Sequence, residues 1–363
     1  MNTELCRNVL EQFELEEESE PYGNGHINDT YLVTSKQYIL QRINISVFKN
    51  PDELMENIEN VTAFLRNKII AANGDPDRET LTVIPTKKGS SYYRMDEEHA
   101  YRVYKFITGT KTIESSKTPG DLYEAGIGFG HFQKMLRDFP VGKLHETIKD
   151  FHNTPKRVQA LKEAIRQDAA GRADSVKEEI AFALENAVWA DTVVKGIEDG
   201  SVPVRVTHND TKINNILFDE ESGKAVCVID LDTVMPGSML YDFGDALRMG
   251  GSTGAEDETD LDKVRFDPAA FEAFARGYLS EMKDDLTSRE LELLPFSVKL
   301  MTYECGIRFL TDYLNGDTYF KIHREKHNLE RARNQFKLVA DISAKETCLA
   351  EIIKRECGKE RKA

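Results

Sequence analysis

The chain has 363 residues, 40% of them hydrophobic, and a formal charge of −15 at pH 7. That length allows two or three domains, or two lobes around a cleft, with ample core, and the acidic excess argues against a nucleic acid or an anionic membrane as partner. Five scattered cysteines without C-x-x-C spacing read as free thiols, and no apolar run could span a bilayer, so a soluble cytoplasmic protein is expected.

In chain order, Tyr22-Gly23-Asn24-Gly25 reads as a turn, followed by paired strands at 31–33 and 38–43 around Thr34-Ser35-Lys36. Leu54, Ile58, Val61, Leu65 and Ile69 then recur at helical spacing behind Pro51-Asp52, which predicts an amphipathic helix. Segments 81–84, 91–95 and 100–107 supply further strands. Beyond Thr108-Gly109 the pattern is mostly helical, over 122–136, 157–166, 175–197, 268–282, 288–313 and 329–350. One strand cluster interrupts it, and residues 251–258 are the expected mobile loop. There is no internal repeat and no heptad, so a monomer is expected.

The interrupting cluster carries the chemistry. Residues 204–207 read as a strand entering a polar loop, 215–218 as a strand leaving it, 220–224 as a hairpin turn, and 225–229 as a buried return strand that delivers Asp230. The loop His208-Asn209-Asp210-Thr211-Lys212-Ile213-Asn214-Asn215 places an Asn five residues after Asp210, and Asp230 follows twenty residues after it. Phosphoryl transfer through a loose transition state needs a carboxylate to orient the attacking hydroxyl and oxygen ligands to hold Mg²⁺ on the phosphates. Asp210 suits the first role, and Asn215 with Asp230 the second. Lys212 suits stabilisation of charge on the transferred phosphate, and Asp232 is a secondary metal ligand or a neighbour-bonding residue.

These offsets resemble the protein-kinase-like small-molecule kinases, namely the aminoglycoside phosphotransferases, choline kinases and homoserine kinases. Their pattern His-x-Asp-x-x-x-x-Asn is matched by His208, Asp210 and Asn215, their metal aspartate by Asp230, and the aspartate that braces their catalytic loop by Asp242 in Tyr241-Asp242-Phe243-Gly244-Asp245. The resemblance implies an α+β, two-lobed protein-kinase-like fold. A small antiparallel-sheet lobe (1–107) would bind nucleotide and a larger, mainly helical lobe (108–363) would carry catalysis and the acceptor, with the active site between them. It also implies ATP and Mg²⁺ as cofactors, and for His208 a structural role.

A closer resemblance covers most of the chain. Segments 21–28, 205–212, 229–239 and 304–310 are similar to those of the bacterial N-acetylhexosamine 1-kinases, which phosphorylate the anomeric hydroxyl of N-acetylglucosamine and N-acetylgalactosamine. It implies sugar contacts from His26, Asp210, Glu304 and Arg308, with Tyr319 either an aromatic wall or a core residue. On the nucleotide side, Gly23 and Gly25 let backbone amides approach phosphates or form an ordinary turn. The superfamily's phosphate-binding lysine is replaced by Gln41 or Arg42, with Gln41 nearer the expected register; Glu59 is either the lysine's former partner or a solvated glutamate. The shared loop leaves two other readings: a kinase of choline, homoserine or another small alcohol, or a non-catalytic nucleotide-binding protein. No aromatic cage for a choline cation is evident.

Overall fold

Asn50 caps the helix that the spacing predicts: its side chain accepts from Glu53 N, and Pro51 occupies the first helical turn. The computed structural model describes residues 3–23, 27–35, 37–114 and 118–358. In chain order it opens with α1 (Thr3–Leu10), β1 (Ser19–Pro21), β2 (Asp29–Val33), β3 (Tyr38–Ile43), α2 (Pro51–Ala71), a single turn α3 (Pro76–Glu79), β4 (Val83–Ile84), β5 (Tyr93–Arg94), β6 (Ala100–Lys105) and β7 (Thr110–Lys111). The first six strands form one antiparallel sheet in the order β1-β2-β3-β6-β4, with β5 also on β6.

Two units divide the chain. The first takes in residues 1–113, 135–149 and 214–236; the second takes in 114–134, 150–213 and 237–363. In the first unit the sheet buries Tyr31, Val33, Leu40, Tyr101 and Val103 against Cys6, Val9 and Leu10 of α1 and Phe13 beyond it. Neither α1 nor β1 stands out in the sequence, because α1 has only eight residues and its three apolar anchors are interleaved with charge. The strand Ile216–Asp219 pairs with Ala225–Val228 and with β7 in a second, three-stranded sheet. Asn57 of α2 donates to the carbonyls of His145 and Val234 at 2.8 and 3.0 Å, which ties the helix to both later segments of its unit.

The second unit is helical, with Pro119–Met135, Thr154–Gln167, Lys177–Asn186, Thr192–Glu198, Met239–Gly250, Pro268–Met282, Ser288–Leu314 and His327–Gly358 as its main elements. A capping box of Thr287 and Glu290 starts the helix Ser288–Leu314, and Glu290 also pairs with Arg205 at 2.7 Å. Tyr303, Ile307, Leu310 and Leu314 of that helix meet Leu329, Ala332, Phe336 and Val339 of the last one. The expected helix at 175–197 is broken in two, with 3₁₀ turns at 173–176 and 187–189.

Residues 251–258, expected to be mobile, are anchored. Asp267 N donates to Gly251 O, Arg248 pairs with Glu256 at 2.7 Å, and Asn334 donates to Ala255 O. Among the described residues no helix is long and apolar enough to cross a membrane.

Candidate active site

In the second unit the short strand Arg205–Thr207 leads into the polar loop that begins at His208, and one carboxylate organises its backbone. Asp242 accepts from His208 N at 2.8 Å, from Asn209 N at 2.7 Å and from Gln133 Nε2 at 2.5 Å, and its own carbonyl accepts from Thr211 Oγ1 at 2.5 Å. Burial pushes the Asp242 carboxyl above its usual range, against the pull of His208 and the two amides. Asn209, held by these bonds, has φ 65°, a left-handed conformation that Asn tolerates at a cost of about 1 kcal/mol. The consequence is a loop whose next residue, Asp210, is presented from a fixed backbone.

Lys212 lies 2.8 Å from Asp210. Burial opposes ionisation of Asp210, yet the ammonium of Lys212 outweighs it and holds the carboxyl below its ordinary range. Lys212 is raised in turn, burial being overcome by Asp210 and Asp245. A carboxylate kept ionised in this way accepts a hydrogen bond from a hydroxyl without needing to be a strong base, which suits a loose transition state.

Glu304 is buried, and both its oxygens have partners: His152 Nδ1 at 2.8 Å and Thr154 Oγ1 at 2.6 Å. One turn on, Arg308 makes no hydrogen bond to any described residue; its guanidinium lies 5.9 Å from the Phe151 ring and 5.5 Å from the Phe320 ring. Arg157, which sequence reasoning missed, donates to Phe151 O but keeps a buried Nε without a partner. Burial lowers its basicity, and the nearby charge of Arg308 lowers it further. Tyr319 is 66% exposed, and its loop is shaped by Asp312, which accepts from the amides of Thr318, Tyr319 and Phe320 and from Asn328.

In the first unit the hairpin Ile216–Asp219/Ala225–Val228 brings the two expected metal ligands side by side. Ile229 N donates to Asn215 O at 2.9 Å, so Asp230 leaves the return strand beside Asn215. Asp230 has φ 60°, and a 3₁₀ turn over Leu231–Thr233 follows it. One carboxylate and one amide oxygen are hard ligands, and two protein ligands with room for water and phosphate oxygens is a donor set Mg²⁺ accepts. Among the described residues there is no cluster of three or more His, Cys, Asp or Glu side chains fit for a metal.

Gly23 has φ 71° and open space where a side chain would stand, consistent with a turn. Gly25 and His26 lie outside the described residues. Gln41 is engaged on both ends of its amide, donating to Thr30 Oγ1 at 3.1 Å and accepting from Arg102 Nε and Nη2 at 3.0 and 2.8 Å. Arg42 pairs with Asp29, and Glu59 is exposed on α2. Asp232 takes the neighbour-bonding alternative: Asn28 Nδ2 donates to it at 2.7 Å and Arg102 pairs with it at 2.5 Å. The signal for Arg102 was a charged residue set among Ala100, Tyr101, Val103 and Tyr104.

Several solved structures share the fold. A microcompartment-associated aminopropanol kinase is similar at TM-score 0.65 and 18% identity, with 96% of this chain and 99% of that one covered. A spectinomycin phosphotransferase in complex with ADP and spectinomycin gives 0.60 and 14%, covering 95% and 98%. The choline kinase of Cryptosporidium parvum Iowa II gives 0.55 and 14%, covering 98% and 96%. At such identities the likeness shows the fold alone. The model of the phosphotransferase enzyme family matches residues 18–289, three quarters of the chain, and the protein therefore belongs to that family.

Proposed function

We propose that this protein transfers the γ-phosphoryl group of ATP to the anomeric hydroxyl of an N-acetylhexosamine, N-acetylglucosamine or N-acetylgalactosamine, giving the α-1-phosphate. The observation that carries the transfer is the Asp210–Lys212 pair on a loop braced by Asp242. Asp210 accepts a hydrogen bond from the acceptor hydroxyl and aligns its oxygen with the γ-phosphorus, while Lys212 offsets charge that develops there. Asn215 and Asp230 would hold Mg²⁺, which when bound would supply neutralisation of the phosphate oxygens.

The distribution of charge supports this acceptor class. Arg157 and Arg308 stand near one another beside Tyr319, while Glu304, Asp312 and Asp317 all have partners already. An acceptor bearing an amine needs a carboxylate to receive it, whereas the hydroxyls and acetamido carbonyl of a neutral sugar accept from guanidinium N–H groups. In this reading Arg308 and Tyr319 contact the sugar, and Glu304 acts through His152 instead of touching it. Resemblance of segments 21–28 and 304–310 to the N-acetylhexosamine 1-kinases points the same way. The test is ADP release with Mg·ATP against N-acetylglucosamine, N-acetylgalactosamine, glucosamine, choline, aminopropanol and homoserine. Selective turnover of the N-acetylated sugars is expected; selective turnover of an amine would replace the substrate assignment.

A further inference from the structure

A buried guanidinium ties the turn that follows Asp230 to the sheet. Arg102 lies on β6 directly opposite Gln41 of β3, and it is 1% exposed, with its partner Asp232 at 3%. Gln41 Oε1 receives two of its N–H groups, Nη2 forms an ion pair with Asp232 at 2.5 Å, Met55 Sδ lies 3.9 Å from the other terminal nitrogen, and the Tyr104 ring covers it at 5.1 Å. So enclosed, Arg102 is placed to hold protein groups and not to reach a ligand. Asp232 is gripped from a second side by Asn28 Nδ2, and Asn28 Oδ1 in turn accepts from Asn44 N at 2.9 Å. Asp232 is in the 3₁₀ turn that begins immediately after Asp230, whose backbone is left-handed. An aspartate adopts that region at a modest cost, and the grip on Asp232 in the adjoining turn is a constraint that holds it there.

We propose that Arg102 is a positioning residue for the metal site: by fixing Asp232 it sets the turn that aims Asp230, and Asn28 links that turn to the segment before β2. The inference rests on the reading that Asn215 and Asp230 bind Mg²⁺. Its consequence is that the cation on β6, next to the strand position where the superfamily carries a lysine, serves the metal ligand and not the phosphates.

The test is calorimetric affinity for ADP with and without Mg²⁺, together with the melting temperature of the ligand-free protein. In Arg102→Met the Mg²⁺-dependent gain in ADP affinity falls by about tenfold or more, the range expected for loss of an outer-shell support, and the melting temperature also falls. The double variant Arg102→Met/Asp232→Asn, which leaves no buried charge unpaired, regains most of the melting temperature but not the gain. Asn28→Ala, a milder change, lowers the gain with little shift in melting. Recovery of the full gain in the double variant, or its retention in Arg102→Met, would overturn the proposal by showing that Arg102 serves the fold alone. The metal reading fails separately: it is lost if the wild type shows no Mg²⁺-dependent gain, or if Asp230→Ala keeps it.

Discussion

His152 Nδ1 lies 2.8 Å from Glu304 Oε1, and the opposite ring nitrogen lies 3.1 Å from the carbonyl of Asn209. Both partners can only accept, so the ring carries both protons and is an imidazolium. A charged ring thus joins the helix Ser288–Leu314 to the residue that precedes Asp210. Burial works against that charge, but Glu304 outweighs it and holds His152 above its ordinary range, while His152 and Thr154 hold Glu304 below its own against the effect of burial.

A pH dependence follows. The raised His152 contributes stability that is complete below its unfolded value of 6.5 and is lost as pH rises through the elevated folded pKa. The depressed Glu304 contributes stability that is complete above 4.5 and is lost as pH falls through its lowered folded pKa. Thermal unfolding across pH should show both limbs. His152→Gln should abolish the alkaline limb and cost about 3 kcal/mol or more at neutral pH, since it leaves Glu304 buried without the counter-charge of His152, only Thr154 still donating to it. An unchanged alkaline limb in the variant would contradict the pairing.

Lys212 should govern the acid side of turnover. It holds Asp210 low, so Lys212→Met raises the Asp210 pKa, and the acid limb of kcat against pH moves to higher pH. A uniform drop in kcat with the limb unmoved would mean that Lys212 serves the phosphate alone.

Asp242→Ala should damage both fold and turnover. It strands two buried amides, His208 N and Asn209 N, at about 1–3 kcal/mol each. The melting temperature should fall, and kcat should drop further than in Asp245→Asn, whose residue bonds Arg248 and none of the loop amides. Equal losses in the two variants would argue against the bracing role.

Gly277→Ala tests the helical core away from the site. A methyl at Gly277 would collide with the Tyr123 carbonyl, and one at Gly126 with the Phe274 carbonyl, so the helices Pro119–Met135 and Pro268–Met282 touch through these glycines. Overpacking of this kind costs about 1–3 kcal/mol, read as a lower melting temperature with KM unchanged.

Much of the candidate site's local structure was legible because its offsets are local. The loop, its return hairpin and Asp230 lie within 26 residues, where strand periodicity and turn chemistry speak directly, and the long helices announce themselves by apolar spacing. What escaped is what depends on tertiary pairing. Residues 135–149 and 214–236 join the first unit, and no spacing along the chain shows that. Gln41 read as the phosphate-side residue because a sequence does not reveal that Arg102, 61 positions away, occupies its amide. Glu304 and Arg308 have the spacing of an intrahelical pair, yet Glu304 is taken by His152, and Arg157 carried no motif at all. The short α1 was hidden by charge between its few apolar anchors.

The most direct measurement is phosphorus and proton NMR of the product formed from N-acetylglucosamine with Mg·ATP, run beside Asp210→Asn. The account predicts a phosphate on C1 with α configuration from the wild type, and almost none from the variant although it still binds ADP. Phosphate on C6, or full turnover in Asp210→Asn, would contradict it.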